Sequence, residues 1–237
     1  MSTRMEADGS GFMFDRIARR YDRMNRLISM GMDRGWRRQL IESLGSVGSG
    51  EVLDVATGTA DVAISVARHF SEARVIGLDP SNGMLEVGRE KLSAVGLASR
   101  VQLVEGDAQA MDFEDDRFEA SCIAFGIRNV PDRMQGLREM ARVTKPGGRV
   151  VVLELGEPSG GILAPAARFH VHHVVPLLGA WLSGQKEYRY LQKSIAAFPS
   201  SEEFSALMER AGLEMCHVER FISGVAHLYV ATSRSKS

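Results

Sequence analysis

The sequence predicts an α/β protein on a mostly parallel sheet whose last two strands form an antiparallel hairpin. Three observations carry this. From Glu51 to Gly156, short apolar runs alternate with segments of helical spacing, the pattern of βαβ units with right-handed crossovers. The first run, EVLDVATGTADVAISVARHF (51–70), passes from strand to helix through a tight turn at Gly58. Near the carboxyl end, LEMCHVERF and VAHLYVATS are separated only by ISG, too short for a parallel crossover, so they must pair antiparallel.

The elements follow in order. Residues 1–11 are small, polar or charged and read as a loose tail; 12–237 read as a single domain. Its first part, 12–50, is helical. Phe14, Ile17, Tyr21, Met24 and Ile28 recur at three- and four-residue spacings. Ser29 to Asp33 breaks that pattern, and RGWRRQLIESLG is a second helix ending at Gly45. Then come strand EVLDVA, helix Asp61 to Phe70, strand ARVIGLD and a helix from Ser81 to about Val95. RVQLVEGDA and FEASCIAFG are strands, Asp132 to Val143 a helix, KPGG a turn and RVVVLELG the fifth strand. Residues 157–200 read as a substrate-side insertion, and 201–211 as a helix ahead of the hairpin.

Composition narrows the function. With 29 basic and 30 acidic residues in 237, no net field points to nucleic acid. Cys122 and Cys216 lie among apolar neighbours and read as small buried hydrophobes in a reducing compartment, with no CxxC zinc site. The apolar stretch 162–178 carries Arg168, His170, His172 and His173 and is broken by Pro165 and Pro176. A spanning helix wants about 20 apolar residues free of central charge, so a transmembrane span is rejected.

Ligands of an open α/β sheet bind beyond the carboxyl ends of its strands. Three features converge there. Gly58 permits a sharp turn and close approach of backbone to ligand. Asp79, 21 positions later at the end of the second strand, is placed to reach ribose hydroxyls. Asp107 and Ala108 follow the third strand, where a carboxylate beside a small residue can flank an adenine. Taken singly, Asp79 could merely cap a helix and Gly58 merely turn the chain. A dinucleotide would want G-x-G-x-x-G, but the corresponding residues are Ala56, Gly58 and Asp61. Asp61 would also set negative charge against a pyrophosphate. A phosphate-free cofactor with a cationic centre fits better, and S-adenosylmethionine is one.

Beyond this, LDVATGTAD, GLDPSNGML, EGDAQAMDFEDDRFE, FGIRNVPD and RVTKPGGRVVVLELGEP resemble the quinone-biosynthesis C-methyltransferases. These are the demethylmenaquinone and polyprenyl-benzoquinol methyltransferases. The likeness extends to FDRIARRYDRMNRLISMGMDRGWRR and YRYLQKSIAAFP, from about Phe14 to Val230. It implies a class I methyltransferase sheet of seven strands, with S-adenosylmethionine held by positions matching Thr59, Asp79, Asp107 and Ala108. It implies as partner a reduced quinol with a prenyl tail, most readily demethylmenaquinol, methylated on a ring carbon. The benzoquinol step, or a soluble phenolic acceptor, is the alternative. Two departures stand out: Ala60, where the family usually has glycine, and Ala124, where it often has serine. The methyl of Ala60 is expected to narrow the methionine pocket.

Transfer to carbon needs a nucleophilic ring, which a hydroquinone becomes when a hydroxyl loses its proton. Arg128 and Asn129, after the fourth strand, are the catalytic candidates, able to bind or polarise a quinol oxygen; alternatively Arg128 pairs with an acid and Asn129 caps a turn. Tyr188, Tyr190 and His173 are candidates for binding substrate, and His170, His172 and His173 for supplying a base. Tyr21 could cover the cofactor. No metal is expected, because the histidines lack matching carboxylate or cysteine spacing. Phe169, Leu177, Leu178 and Trp181 with the N-terminal helices could form an apolar route for the tail. That reading expects a cytoplasmic protein in transient, peripheral contact with the inner face of a membrane, with self-association left open.

Overall fold

The computed structural model describes residue 18 and residues 31–158 and 192–234. Apart from residue 18, the stretch ahead of Gly31 expected to form the N-terminal helix lies outside them, Tyr21 included, as do Tyr188, Tyr190, His170, His172, His173 and the 162–182 stretch.

Seven strands form one sheet: β1 (Glu51–Val55), β2 (Arg74–Asp79), β3 (Val101–Glu105), β4 (Phe118–Ala124), β5 (Thr144–Leu155), β6 (Leu213–Phe221) and β7 (Ala226–Ser233). Their order is β3-β2-β1-β4-β5-β7-β6. The first five pair in parallel, while β7 runs antiparallel between β5 and β6. The expected class I arrangement is therefore present, hairpin included. Chain order reverses between β1 and β4, and ligands of such sheets sit at that reversal.

Helices α1 (Asp33–Glu42), α2 (Asp61–His69), α3 (Asn82–Ala94), α4 (Arg133–Val143) and α5 (Ser201–Arg210) complete the described fold. Two hydrophobic clusters lie against the sheet. One joins Trp36 and Leu40 of α1 to Val52, Val62, Leu85 and Leu103; the other joins Leu53, Val55, Ile76 and Leu78 to Leu137, Met140 and Phe204. The alternation along β1 (Val52 to one cluster, Leu53 and Val55 to the other) follows from the two-residue period of a strand. It turns Asp54 toward the side covered by α1, α2 and α3. Three of the five described helix starts are capped by side chains: Ser81 accepts from the Met84 N–H, Asp132 from Gln135, and Ser200 and Glu203 form a reciprocal capping box.

Two expectations need correction. Lys145–Gly148 is not a free turn but part of β5. Phe118 pairs with Thr144 and Ala120 with Arg149, so the extra residues are accommodated as a bulge. Cys216 is exposed, not buried. It is skipped where the β6–β7 register shifts between Met215 and His217, on an edge strand.

Candidate active site

The cleft lies at the carboxyl ends of β1 to β4 and is lined on one side by α1. Gly58 sits at φ +56°, as a tight strand-to-helix turn requires. Ala56 and Ala60 take similar left-handed angles, φ +51° and +65°. The chain thus bends as a glycine-rich loop would, with only one glycine at the centre. Ala60 is fully buried and is not among the cleft-lining residues. A Cβ on Gly88 of α3 would lie 3.2 Å from the Ala60 methyl, so that methyl is directed into the core and does not narrow the cleft.

The expected cofactor residues converge. Gly58, Thr59, Asp79, Asp107 and Ala108 all line the same cleft. Asp79 accepts hydrogen bonds from the N–H of Gly58 (2.8 Å) and of Ser81 (2.9 Å), joining the two loops that follow β1 and β2. Asp107 accepts from the Gln109 N–H at 2.9 Å and from its carboxamide. The loop beyond it is fixed by Arg142, which donates to the carbonyls of Met111 and Phe113, and by Glu139, which accepts from the Met111 N–H. Thr59 is buried, and its hydroxyl accepts from Lys91 Nζ at 3.1 Å.

Asn129 also lines the cleft, and its carboxamide oxygen is buried without a hydrogen-bond partner among the described residues. Arg128 does not line it. Its Nη1 donates to Glu154 Oε1 at 2.5 Å and to the Phe125 carbonyl at 2.6 Å; its N–H donates to Glu154 Oε2 at 3.1 Å. Glu154 is wholly inaccessible to solvent. The acidic partner that was the alternative for Arg128 is thus present, and the pair secures the turn Ile127–Asn129 that carries Asn129. Phe125, at φ +58°, joins the same wall.

Sequence reasoning missed three groups. Glu154 is one; a single acid inside the apolar run RVVVLEL was its signal, since a buried carboxylate must be paired. Asp54 is wholly buried at the cleft floor, where it accepts from the Thr57 hydroxyl at 2.6 Å and lies 3.7 Å from Cys122 Sγ. Burial pushes its carboxyl up to about 7, against the lowering effects of Thr57 and Arg37. Burial, and then the neighbouring Asp54, likewise push the Cys122 thiol up. Arg37 of α1 is the third: it pairs with Asp61 at 3.0 Å and lies over the Phe125 ring at 5.8 Å. Burial would raise the Asp61 carboxyl, but Lys91 and Arg37 outweigh it and hold the group below its usual range.

The cleft suits a phosphate-free nucleoside. Four acidic side chains line it, the buried carboxyl of Asp54 and those of Asp61, Asp79 and Asp107, an environment hostile to a pyrophosphate and hospitable to a sulfonium. No group of histidine, cysteine and carboxylate side chains fit to hold a metal occurs among the described residues. Fold and cleft together define the class: this is an S-adenosylmethionine-dependent methyltransferase. More narrowly, the chain belongs to the ubiE/COQ5 methyltransferase family, which matches residues 3–233.

A relative from Geotalea daltonii named ubiquinone/menaquinone biosynthesis C-methyltransferase is 42% identical over 218 residues, 92% of this chain and 93% of that one. A Bacteroides fragilis demethylmenaquinone methyltransferase is 40% identical, with 93% and 90% covered. Among solved structures, a putative S-adenosylmethionine-dependent methyltransferase of Methanococcus maripaludis superposes with TM-score 0.68 at 16% identity, over 94% of each chain. The [4+2]-cyclase SpnF superposes with TM-score 0.67 at 18% identity, covering 87% of this chain and 83% of that one. At such identities these two speak to fold alone.

Proposed function

We propose that the protein methylates a ring carbon of a reduced, prenylated quinol, converting demethylmenaquinol to menaquinol in menaquinone biosynthesis. Family membership supports quinone biosynthesis as the setting. Within the structure, the observation that carries the reading is the carboxamide oxygen of Asn129, a buried acceptor without a partner in the cleft wall. A buried acceptor left unpaired is costly, and a quinol hydroxyl is a donor that would satisfy it.

Bound S-adenosylmethionine supplies an electrophilic methyl group. In this reading Thr59, Asp79, Asp107 and Ala108 hold its nucleoside, fixing one reactant. Asn129 accepts the hydrogen bond of a ring hydroxyl and so orients the ring. Arg128, engaged with Glu154, acts as a positioning residue that sets Asn129. Most of the rate then comes from holding both reactants in near-attack geometry, while the ring's other hydroxyl passes its proton to one of the proposed bases His170, His172 or His173 and so makes the ring carbon nucleophilic. Tyr188, Tyr190 and His173 are proposed to complete the quinol site. No described helix is long and apolar enough to cross a membrane, and the prenyl tail is proposed to be reached by transient, peripheral contact from the cytoplasmic side.

The test is methyl transfer from labelled S-adenosylmethionine to reduced demethylmenaquinol, to the matching benzoquinol and to a soluble phenol. Transfer to the naphthoquinol ahead of the others, lost when the ring is oxidised, is expected. Preference for the benzoquinol would move the protein to ubiquinone biosynthesis, and preference for the soluble phenol would overturn the quinol reading.

A further inference from the structure

Along the cleft the expected ligand positions run in the order of the sheet. Asp107 and Ala108 follow β3, Asp79 ends β2, and the turn of Gly58 follows β1. A nucleoside whose base lies at β3 and ribose at β2 directs its 5′ substituent toward the ends of β1 and β4. The amino-acid part of S-adenosylmethionine must then lie there, and it carries the molecule's one anionic group, the α-carboxylate.

Among the described residues, Arg37 is the cation at that end of the cleft. It lines the cleft beside Asp54, Asp61 and Phe125. Its guanidinium is fixed by Asp61 at 3.0 Å and by the face of Phe125, while its Nε is buried and has no hydrogen-bond partner among the described residues. The Asp33 carboxylate on the preceding turn of α1 forms an ion pair with Arg37, but at 3.7 Å from that Nε it lies too far to accept a hydrogen bond from it. A buried guanidinium donor left unused is expensive, and a planar carboxylate is the acceptor that matches the guanidinium fork. Lys91, the other cation of this cluster, is turned to Thr59 and Asp61 and does not line the cleft.

We propose that Arg37 is the receptor for the α-carboxylate of the cofactor. The proposal rests on the cofactor reading above and adds to it a residue that decides whether the amino-acid end is recognised. Arg37 also links that end to α1, so cofactor occupancy and the packing of the first described helix are coupled. Asp54 lines the same cleft, a buried carboxyl with no ion pair among the described residues.

Two adenosine thioethers separate the outcomes. S-Adenosylhomocysteine carries the amino-acid end, and 5′-methylthioadenosine lacks it. Calorimetric titration of both into wild type, Arg37→Gln and Arg37→Lys reads affinity without turnover. The expectation is that Arg37→Gln weakens adenosylhomocysteine about 10- to 100-fold, the scale of one charge-assisted hydrogen bond, while methylthioadenosine changes less than twofold. Arg37→Lys, keeping charge without the fork, should fall between. Equal weakening of both ligands by Arg37→Gln would make the residue structural and overturn the proposal. So would unchanged affinity for both, with the cofactor reading intact. Failure of wild type to bind either would remove the cofactor reading and this proposal together.

Discussion

The carboxylate of Asp79 accepts the N–H of Gly58 at 2.8 Å, across 21 residues, and the N–H of Ser81 at 2.9 Å through its other oxygen. One side chain therefore shapes the loop it belongs to and the loop of the neighbouring strand. Asp79→Asn keeps the size but turns a donor toward one of two backbone donors. It should cost about 1–3 kcal/mol of stability, the scale of a hydrogen bond to a charged group, and weaken adenosylhomocysteine at least about tenfold. Thermal unfolding and calorimetric titration check both. Undiminished affinity would refute the ribose assignment.

That relationship also marks how far the sequence could be read. Gly58, Asp79, Asp107 and Ala108 were recoverable because apolar runs locate strand ends, and parallel topology brings successive strand ends to one edge. The reach of Asp79 to Gly58 needs coordinates, since no local pattern tells where a carboxylate points. Arg37 is one of three basic residues in DRGWRRQLIE. Which of them faces the cleft is fixed only when Trp36 stacks on Phe221 at 5.8 Å and tilts against Phe125, contacts from strands and loops far along the chain. The KPGG bulge reads as a turn because its glycines have turn chemistry; pairing with β4 overrides it.

Ala60 occupies a left-handed conformation that costs a non-glycine residue about 1–2 kcal/mol, while burial of its methyl returns about 0.8 kcal/mol. Ala60→Gly should therefore be neutral to slightly stabilising, by up to about 1 kcal/mol. Gly88→Ala places a Cβ 2.7 Å from Leu103 and 3.2 Å from Ala60, and should destabilise by about 1–3 kcal/mol. The double variant should recover part of that loss, since only one of the two close contacts is relieved. Denaturant titration of the four proteins measures the coupling; strictly additive effects would show that the two positions are independent.

Asp54 sets a pH signature. Its folded-state carboxyl, raised by burial to about 7, holds a proton that the unfolded chain releases above its ordinary value of 3.8. The folded state binds more protons across that interval, so this group's contribution is full below 3.8, declines as pH rises and is gone above about 7. Other carboxyls, Asp61 and Glu139 among them, are held low and tilt the total curve the opposite way. The difference between wild type and Asp54→Asn isolates the effect. The variant should gain on wild type as pH rises from about 4 to 7 and hold that gain above it. A difference independent of pH in chemical denaturation would refute a raised carboxyl.

Asn129 tests the substrate wall. Asn129→Ala removes the buried carboxamide acceptor without touching Asp79, Asp107 or the Gly58 turn. Turnover of the quinol should fall about 10- to 100-fold, the price of one well-placed polar contact in the transition state. Adenosylhomocysteine affinity should stay within about twofold. Loss of cofactor affinity in step with turnover would place Asn129 on the cofactor and not on the quinol.

The Arg128–Glu154 pair separates fold from function most cleanly. With Glu154 fully buried and Arg128 nearly so, Arg128→Met takes the guanidinium away from a buried carboxylate, and Glu154→Gln takes that carboxylate away from the guanidinium. Either should cost about 3–5 kcal/mol, whereas an apolar pair of similar volume is often tolerated. Arg128→Met with Glu154→Leu should therefore recover most of the stability lost in the single variants. It also deletes the three hydrogen bonds from Arg128 to Glu154 and Phe125 that secure the turn bearing Asn129. If Arg128 positions Asn129, turnover stays at least about tenfold down in the refolded double variant while adenosylhomocysteine still binds. Melting temperature, cofactor affinity and kcat on one set of four proteins decide it. Recovery of kcat along with stability would reduce Arg128 to a scaffold residue.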